Sequence, residues 1–161
     1  MSTHVENQLP AMVDISPKAP SIRLARARAR VVFPADAVFS ASDKEIFSAK
    51  GPVVATAVVA GIMAAKKTSS LIPLCHPVAI EDCQVRIERV SERVLLVECL
   101  AATTHKTGVE MEAMTGAAVA ALTIYDMMKS VSKGIIIEDL RLVEKTGGKS
   151  DWRTEHTRDG A

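Results

Sequence analysis

From residue 25 the chain alternates without a break, with Ala25, Ala27, Ala29, Val31 and Phe33 on one side and Arg26, Arg28 and Arg30 on the other. Successive side chains of a strand point to opposite faces. The stretch SIRLARARARVVF therefore reads as a strand with one buried face and one basic, solvated face. A sheet built around it can be covered on one side only. The other strand-like and helix-like segments follow no regular βαβ repeat. Together these features predict an α+β fold, an antiparallel sheet with helices packed on one face. The arginine stripe also suggests a surface for RNA, but a sheet that reads RNA adds aromatic rings on which bases stack. Aromatic residues make up only 3% of this chain, and none alternates with these arginines. The solvated face is the better reading.

The remaining elements follow from periodicity and breakers. PADAVFSASDKEIFSA, residues 34–49, suggests a short helical segment with a polar break. GPVVATAVVAGIMAAKK opens with Pro52 near a helix N-terminus and carries Val54, Val58, Ile62 and Ala65 at helical spacing. VAIEDCQVRIERV and RVLLVECLAATT read as an antiparallel hairpin with a short turn. The longest helix is expected over residues 109–133 and is stopped by Gly134. Its apolar stripe is Met114, Ala117, Ala118, Ala121, Leu122, Tyr125 and Met128, and the small residues in it would let another backbone approach closely. IIIEDLRLVEK reads as the last strand. Residues 1–11 read as a flexible arm, 12–150 as a single domain and 151–161 as a polar tail.

Composition narrows the function classes. A formal net charge of +1 argues against general electrostatic capture of nucleic acid or membrane, while 20 Lys and Arg can still form local clusters for an anionic small molecule. Cys75, Cys83 and Cys99 cannot all pair and form no CxxC, which fits a reducing compartment. The longest apolar run, VVATAVVAGIMAA, falls short of the roughly 20 residues a bilayer span needs. The first residues lack the apolar core of an export signal. A cytoplasmic protein with no membrane and no nucleic-acid partner is expected.

Several polar groups sit where packing alone does not call for them. In LIPLCHP, Pro73 and Pro77 hold Leu74, Cys75 and His76 in a rigid, extended loop. A buried turn with a satisfied histidine explains this as well as a binding site does. Glu110 and Glu112 open a largely apolar helix, where interaction with the helix dipole suffices for Glu110. Asp126 and Lys129 share a helix face in YDMMK. A surface ion pair is the default for them, yet Asp126 lies between Tyr125 and Met127, where a carboxylate needs a partner or a purpose. Lys50 precedes Gly51-Pro52 and is either a solvated loop lysine or a proton donor or phosphate holder near a helix N-terminus. TGGKS, residues 146–150, ends like a phosphate-binding P-loop but has Val143 where that motif needs glycine. The spacings of Cys75, His76, Cys83, Cys99 and His105 match no usual pair of zinc knuckles.

Taken together, LIPLCHP, KTGVEMEAMTG, LTIYDMMK, KGPVVATAVVAGIMAAKK and MVDISPKAPSIRLARA closely resemble the cyclic pyranopterin monophosphate synthase family, molybdenum cofactor biosynthesis protein C or MoaC, over about residues 12–150. The resemblance implies a ferredoxin-like α+β fold. It implies a lyase that converts cyclised dihydro-GTP (3',8-cyclo-7,8-dihydroguanosine 5'-triphosphate) to cyclic pyranopterin monophosphate with release of pyrophosphate. Carried over by motif, Asp126, Lys50 and Lys129 would be catalytic. Leu74, Cys75, His76, Met111 and Glu112 would bind substrate, with Arg23, Lys66 and Lys145 lining the pocket. No functional residue is placed in residues 34–49. The family assembles as a homohexamer, a trimer of dimers, with sites at subunit interfaces. No metal ligand is implied and no cofactor is fixed; Mg2+ carried by the triphosphate stays an open alternative. A non-catalytic pterin or nucleotide carrier and a sheet-type RNA-binding module are the competing classes.

Distance along the long helix bears on the assembly. Glu112 and Asp126 are 14 residues apart, about 21 Å on a continuous helix and within about 40° of the same face. They cannot grip one reacting centre within one chain. A second, antiparallel copy across a two-fold axis would bring Glu112 and His76 of one subunit to Asp126 and Lys129 of its neighbour, with Ala117, Ala118 and Ala121 allowing the close crossing.

Overall fold

The computed structural model describes residues 9–39 and 44–154. The alternating arginine segment forms β1 (Ser21–Val32), followed by a minimal hairpin, β2 (Phe47–Ser48) and β3 (Gly51–Pro52). Next come α1 (Val53–Ala65), the one-turn α2 (Thr68–Leu71), β4 (Asp82–Ser91) and β5 (Val94–His105). The chain continues through α3 (Glu110–Met128), β6 (Ile136–Thr146) and β7 (Trp152–Arg153). The sheet order is β4-β5-β1-β6-β7, and every pair in it is antiparallel. Without the small hairpin, α2 and β7, the path is βαββαβ, and β5 lies between β4 and β1. That is the ferredoxin-like split βαβ arrangement. β7 extends the sheet with residues that the sequence suggests are tail.

The two faces of β1 divide as the alternation predicts. Ala25, Ala27, Ala29 and Val31 are fully buried beneath the helices. The opposite face is less solvated than expected. Arg26 pairs with Glu98 at 2.5 Å and Glu144 at 3.5 Å, Arg28 with Glu98 at 3.1 Å and Arg30 with Glu138 at 3.2 Å. Neighbouring strands thus supply the opposite charges, and these guanidinium groups are engaged in a cross-strand lattice.

Helical register departs from the sequence expectation in three places. In α1 the deepest residues are Val53, Ala57, Gly61, Ala64 and Ala65; Ala65 is buried as expected, but otherwise the line lies one position before the expected Val54, Val58 and Ile62. The smallest side chains face the neighbouring helix and the larger valines flank them. α3 ends at Met128 instead of running to residue 133, because turns formed by Val131 N–H and Ser132 N–H onto the Met128 carbonyl close it. Leu122 is exposed, whereas Ala117 and Ala121 are fully buried. The expected helical segment in residues 34–49 is absent among its described residues. Ala37 N–H closes a turn on the Pro34 carbonyl, Phe39 stacks at 4.6 Å on Phe33, and Ile46 enters the core from an extended stretch. Tertiary burial of those two side chains decides the conformation.

The close approach suggested by small residues occurs within the chain. A Cβ on Gly61 would lie 2.9 Å from the Gly116 carbonyl oxygen, and one on Gly116 would lie 2.5 Å from Cys99 Sγ. Helix α1, helix α3 and strand β5 therefore meet where none has room for another atom. Gly116→Ala gains about 1 kcal/mol of helix propensity but overpacks the crossing by about 1–3 kcal/mol. A net loss of stability is expected in urea unfolding. Cys99→Ala, which removes the facing sulfur, should recover part of that loss in the double variant. Simple additivity of the two losses would show that the contact is not the cause.

Candidate active site

Two polar clusters occupy opposite ends of α3. At its C-terminal end, the turn between β2 and β3 carries Lys50, whose Nζ lies 2.6 Å from Asp126 Oδ2 and donates to the Asp126 carbonyl at 3.3 Å. Lys129, one turn later on α3, lies 2.7 Å from Asp126 Oδ1. The carboxylate that seemed misplaced in an apolar helix therefore has two cations. Hydrogen bonds from Lys129 and then Lys50 hold the Asp126 carboxyl down at about 2. The reciprocal bond raises Lys129 above the usual lysine value. Cationic crowding would have lowered it, but Asp126 sits between the two ammonium groups and reverses the sign. All three side chains remain about half exposed.

The other cluster is assembled from three segments. After α2 the LIPLCHP loop turns back, with Cys75 N–H bonded to the Ile72 carbonyl at 3.2 Å. His76 is not sealed in the core: its Nε2 meets the Val13 carbonyl at 2.8 Å, so the MVDISPK segment crosses beside it. With Nε2 as the donor to that carbonyl, Nδ1 carries no proton in neutral imidazole. Leu74, Cys75, His76, Met111, Glu112 and Val13 line one cleft of about 300 Å³. Glu112 is only 4% exposed at the start of α3, and no cation among the described residues forms an ion pair with it. Burial pushes its carboxyl up, and the neighbouring Glu110 charge adds to the effect. Burial likewise raises the Cys75 thiol, with Glu112 contributing.

A second cleft, of about 510 Å³, adjoins the first through Lys18, Thr107, Gly108 and Glu110. Arg23 and Lys145 line it, together with Lys18, Lys106 and Lys149. The guanidinium of Arg23 is held by the carbonyls of His105 (3.2 Å) and Lys106 (3.4 Å), while Lys145 lies 3.6 Å from Glu110. Five cations against one carboxylate make this cleft suited to a polyanion. Lys66 lines neither cleft; it is the exposed C-cap of α1. TGGKS forms a bend leading to β7, with no helix behind it.

The structure thus brings Lys50 to Asp126 and Lys129, gathers Leu74, Cys75, His76, Met111 and Glu112 at one cleft, and joins Arg23 and Lys145 in its neighbour. Sequence reasoning missed Lys18, Lys106 and Lys149, although the first two stand inside the quoted MVDISPK and KTGVEMEA stretches. Glu110, assigned to the helix dipole, also pairs with Lys145.

Comparison with known proteins agrees with this geometry. A profile of the MoaC family matches residues 12–148. A protein of Xanthomonas oryzae pv. oryzae named cyclic pyranopterin monophosphate synthase is 50% identical over 150 residues, covering 92% of this chain and 91% of that protein. The protein of the same name from Desulfitobacterium hafniense is 50% identical over 149 residues, covering 92% of this chain and 90% of that protein. A molybdenum cofactor biosynthesis bifunctional protein of Synechocystis sp. is 49% identical over 156 residues, covering 94% of this chain and 45% of that protein. With a βαββαβ core, the clustered motif residues and matches spanning nearly its whole length, the chain belongs to the MoaC family.

Proposed function

We propose that this chain is a lyase of molybdenum cofactor biosynthesis that converts 3',8-cyclo-7,8-dihydroguanosine 5'-triphosphate to cyclic pyranopterin monophosphate and releases pyrophosphate. The observation that carries the reading is the Lys50–Asp126–Lys129 cluster, in a chain whose other half-site joins a buried carboxyl to a five-cation cleft. Opening and rebuilding a fused ring system needs proton transfers to and from carbon, nitrogen and oxygen. Lys129, held protonated by Asp126, suits the role of a fixed ammonium that stabilises negative charge as it develops. Glu112, whose pKa burial raises, holds a proton more readily than an exposed carboxylate and suits proton exchange beside His76. Arg23, Lys145, Lys18 and Lys106 would hold the triphosphate and stabilise the charge that develops as pyrophosphate leaves. Incubation with the cyclised dihydro-GTP should yield one cyclic phosphate and one pyrophosphate per turnover. Binding without pyrophosphate release would identify a carrier instead.

The reading includes a composite site across a two-fold axis, with copies assembled further into a trimer of dimers. The fold supports a different contact for it than the alanine stripe, because Ala117 and Ala121 are buried within their own chain. The outer face of the helix layer instead exposes Val59, Met63 and Leu122 for a second copy. No helix among the described residues is long and apolar enough to cross a membrane, and a cytoplasmic location fits the reading.

Three outcomes are expected. Lys50→Ala and Lys129→Ala, which leave no core cavity, should melt near the parent temperature yet lose more than ~100-fold in turnover, the scale of a positioned acid or base. Rates within threefold of the parent would remove both residues from the chemistry. Glu112→Gln should raise the melting temperature at pH 7 while lowering turnover. The sign follows from linkage: the folded pKa lies above the unfolded value near 4.5, so the ionised carboxylate destabilises the fold as pH rises through that range, and below it both states are protonated. The stability gain of the variant should therefore vanish at acid pH, and a gain independent of pH would point to packing. Finally, Glu112→Ala and Asp126→Ala chains, each inactive alone, should recover about a quarter of wild-type activity after random reassociation, since each mixed dimer has one intact site. Proven subunit exchange without recovery would exclude the shared site.

A further inference from the structure

Resting on that reading of Lys50, we infer that Glu45 is the positioning residue for Lys50, the group that fixes where its ammonium stands relative to Asp126. The observation begins with a defect in α1. Its N-cap residue, Pro52, offers no side-chain bond, and its first turn contains no acidic residue. Left so, the leading N–H groups of the helix would lack partners. Glu45 supplies them from outside the helix: Oε1 accepts from Val54 N–H at 2.6 Å and Oε2 from Ala55 N–H at 3.1 Å. The Ile46 carbonyl accepts from Val53 N–H at 2.8 Å, and Glu45 Oε1 also accepts from Ile46 N–H at 2.9 Å. Burial works against the carboxylate, but these backbone bonds outweigh it and hold its pKa below the usual value.

An ordinary cap would satisfy the same donors. This one also closes a loop, because residues 45–46 and the start of α1 are the two ends of the segment that carries Lys50. Between them β2 and β3 make only two residue pairs, Phe47 with Pro52 and Ser48 with Gly51. Phe47 is 58% exposed and Ile46 is the one deeply buried side chain of residues 45–52. At the tip, Ser48 Oγ accepts from Lys50 N–H at 3.1 Å and donates to the Gly51 carbonyl at 3.4 Å, while Gly51 adopts φ +109°. A two-pair hairpin does not stand alone in water. Glu45 joins the hairpin to α1, the Gly61–Gly116 crossing joins α1 to α3, and α3 carries Asp126 and Lys129. The Lys50–Asp126 distance is thus set through rigid elements, with Glu45 as the link between hairpin and helix.

A misplacement of about 1 Å can cost a catalytic group ~100-fold. Glu45→Ala should therefore reduce kcat by ~10–100-fold with KM changed less than about threefold, and Glu45→Gln, which keeps one acceptor oxygen, should restore part of it. In a Lys50→Ala background, Glu45→Ala should cost less than about twofold more, because the group it positions is already gone. A carboxyl-carbon NMR titration of the full-length protein supplies a readout independent of turnover. The Asp126 carboxyl should move up from about 2 in Glu45→Ala, as it should in Lys50→Ala. If Glu45→Ala does not fold, Glu45→Gln carries both measurements. A lowered melting temperature with an unmoved Asp126 titration, or a full multiplicative loss in the Lys50→Ala background, would reduce Glu45 to a helix cap and overturn the inference. If the parent protein fails to turn over the cyclised dihydro-GTP, the functional reading falls, while the Asp126 titration still decides the positioning role.

Discussion

The crossing of α1 over α3 is the contact on which both ends of the candidate site depend. With aromatics at 3%, the chain fills its core with alanine, valine and methionine, and such a core packs densely only if backbones come close. Gly61 and Gly116 permit that approach, and Cys99 of β5 fills the space beneath Gly116. Because Lys50, in the turn just before α1, reaches Asp126 near the end of α3 while Gly61 late in α1 meets Gly116 early in α3, the two helices run antiparallel. One crossing therefore fixes the Lys50–Asp126 contact at one end and sets the LIPLCHP loop beside Glu112 at the other.

The two ends treat their carboxylates in opposite ways. Asp126 is half exposed between two ammonium groups and stays ionised at every physiological pH. Glu112 is buried, lies beside another acid and is pushed towards the neutral form. Stability alone would favour a neutral, apolar residue at position 112. Retaining a carboxyl there makes sense where a proton must be exchanged, and environments that push two carboxyl groups apart mark acid–base assignments. The charged lattice on the far face of the sheet carries no such tension, since Arg26, Arg28 and Arg30 of β1 each pair with a glutamate of a neighbouring strand.

Periodicity revealed the four long strands and the two long helices, because alternation and apolar spacing are local properties of the chain. Finer features failed where long-range packing competed with local pattern. The helical pattern in residues 34–49 lost to Phe39 and Ile46, which reach the core from an extended path. The register of α1 shifted by one because the approach of α3 selects the narrowest face of the helix, whereas an apolar count selects the valines. At the site, the rigid LIPLCHP loop and the odd position of Asp126 were visible in the sequence, but their partners were not. Lys50 is 76 residues from Asp126 and His76 is 63 from Val13. Lys18, Lys106 and Lys149 look like ordinary surface lysines until the ends of β1, β5 and β6 bring them to one cleft.

The length of α3 turns this arrangement into a question of symmetry. Fourteen residues separate Glu112 from Asp126, and a helix cannot shorten the resulting span of about 21 Å by rearranging side chains. Closure of a loop could move Lys50, but Asp126, Lys129 and Glu112 all belong to one rigid element and keep their separation. A single chain therefore keeps two groups apart: Asp126 between two lysines at one end, and a buried acid beside a cleft lined by five cations at the other. In the composite site proposed above, an antiparallel partner helix would bring the start of one α3 to the end of the other, and would do so twice, giving two equivalent sites from one contact. The exposed Val59, Met63 and Leu122 leave the helix layer an apolar face on which such a contact would form. On that proposal neither half has to be enclosed within one chain, since the second subunit would supply a further wall together with the complementary residues.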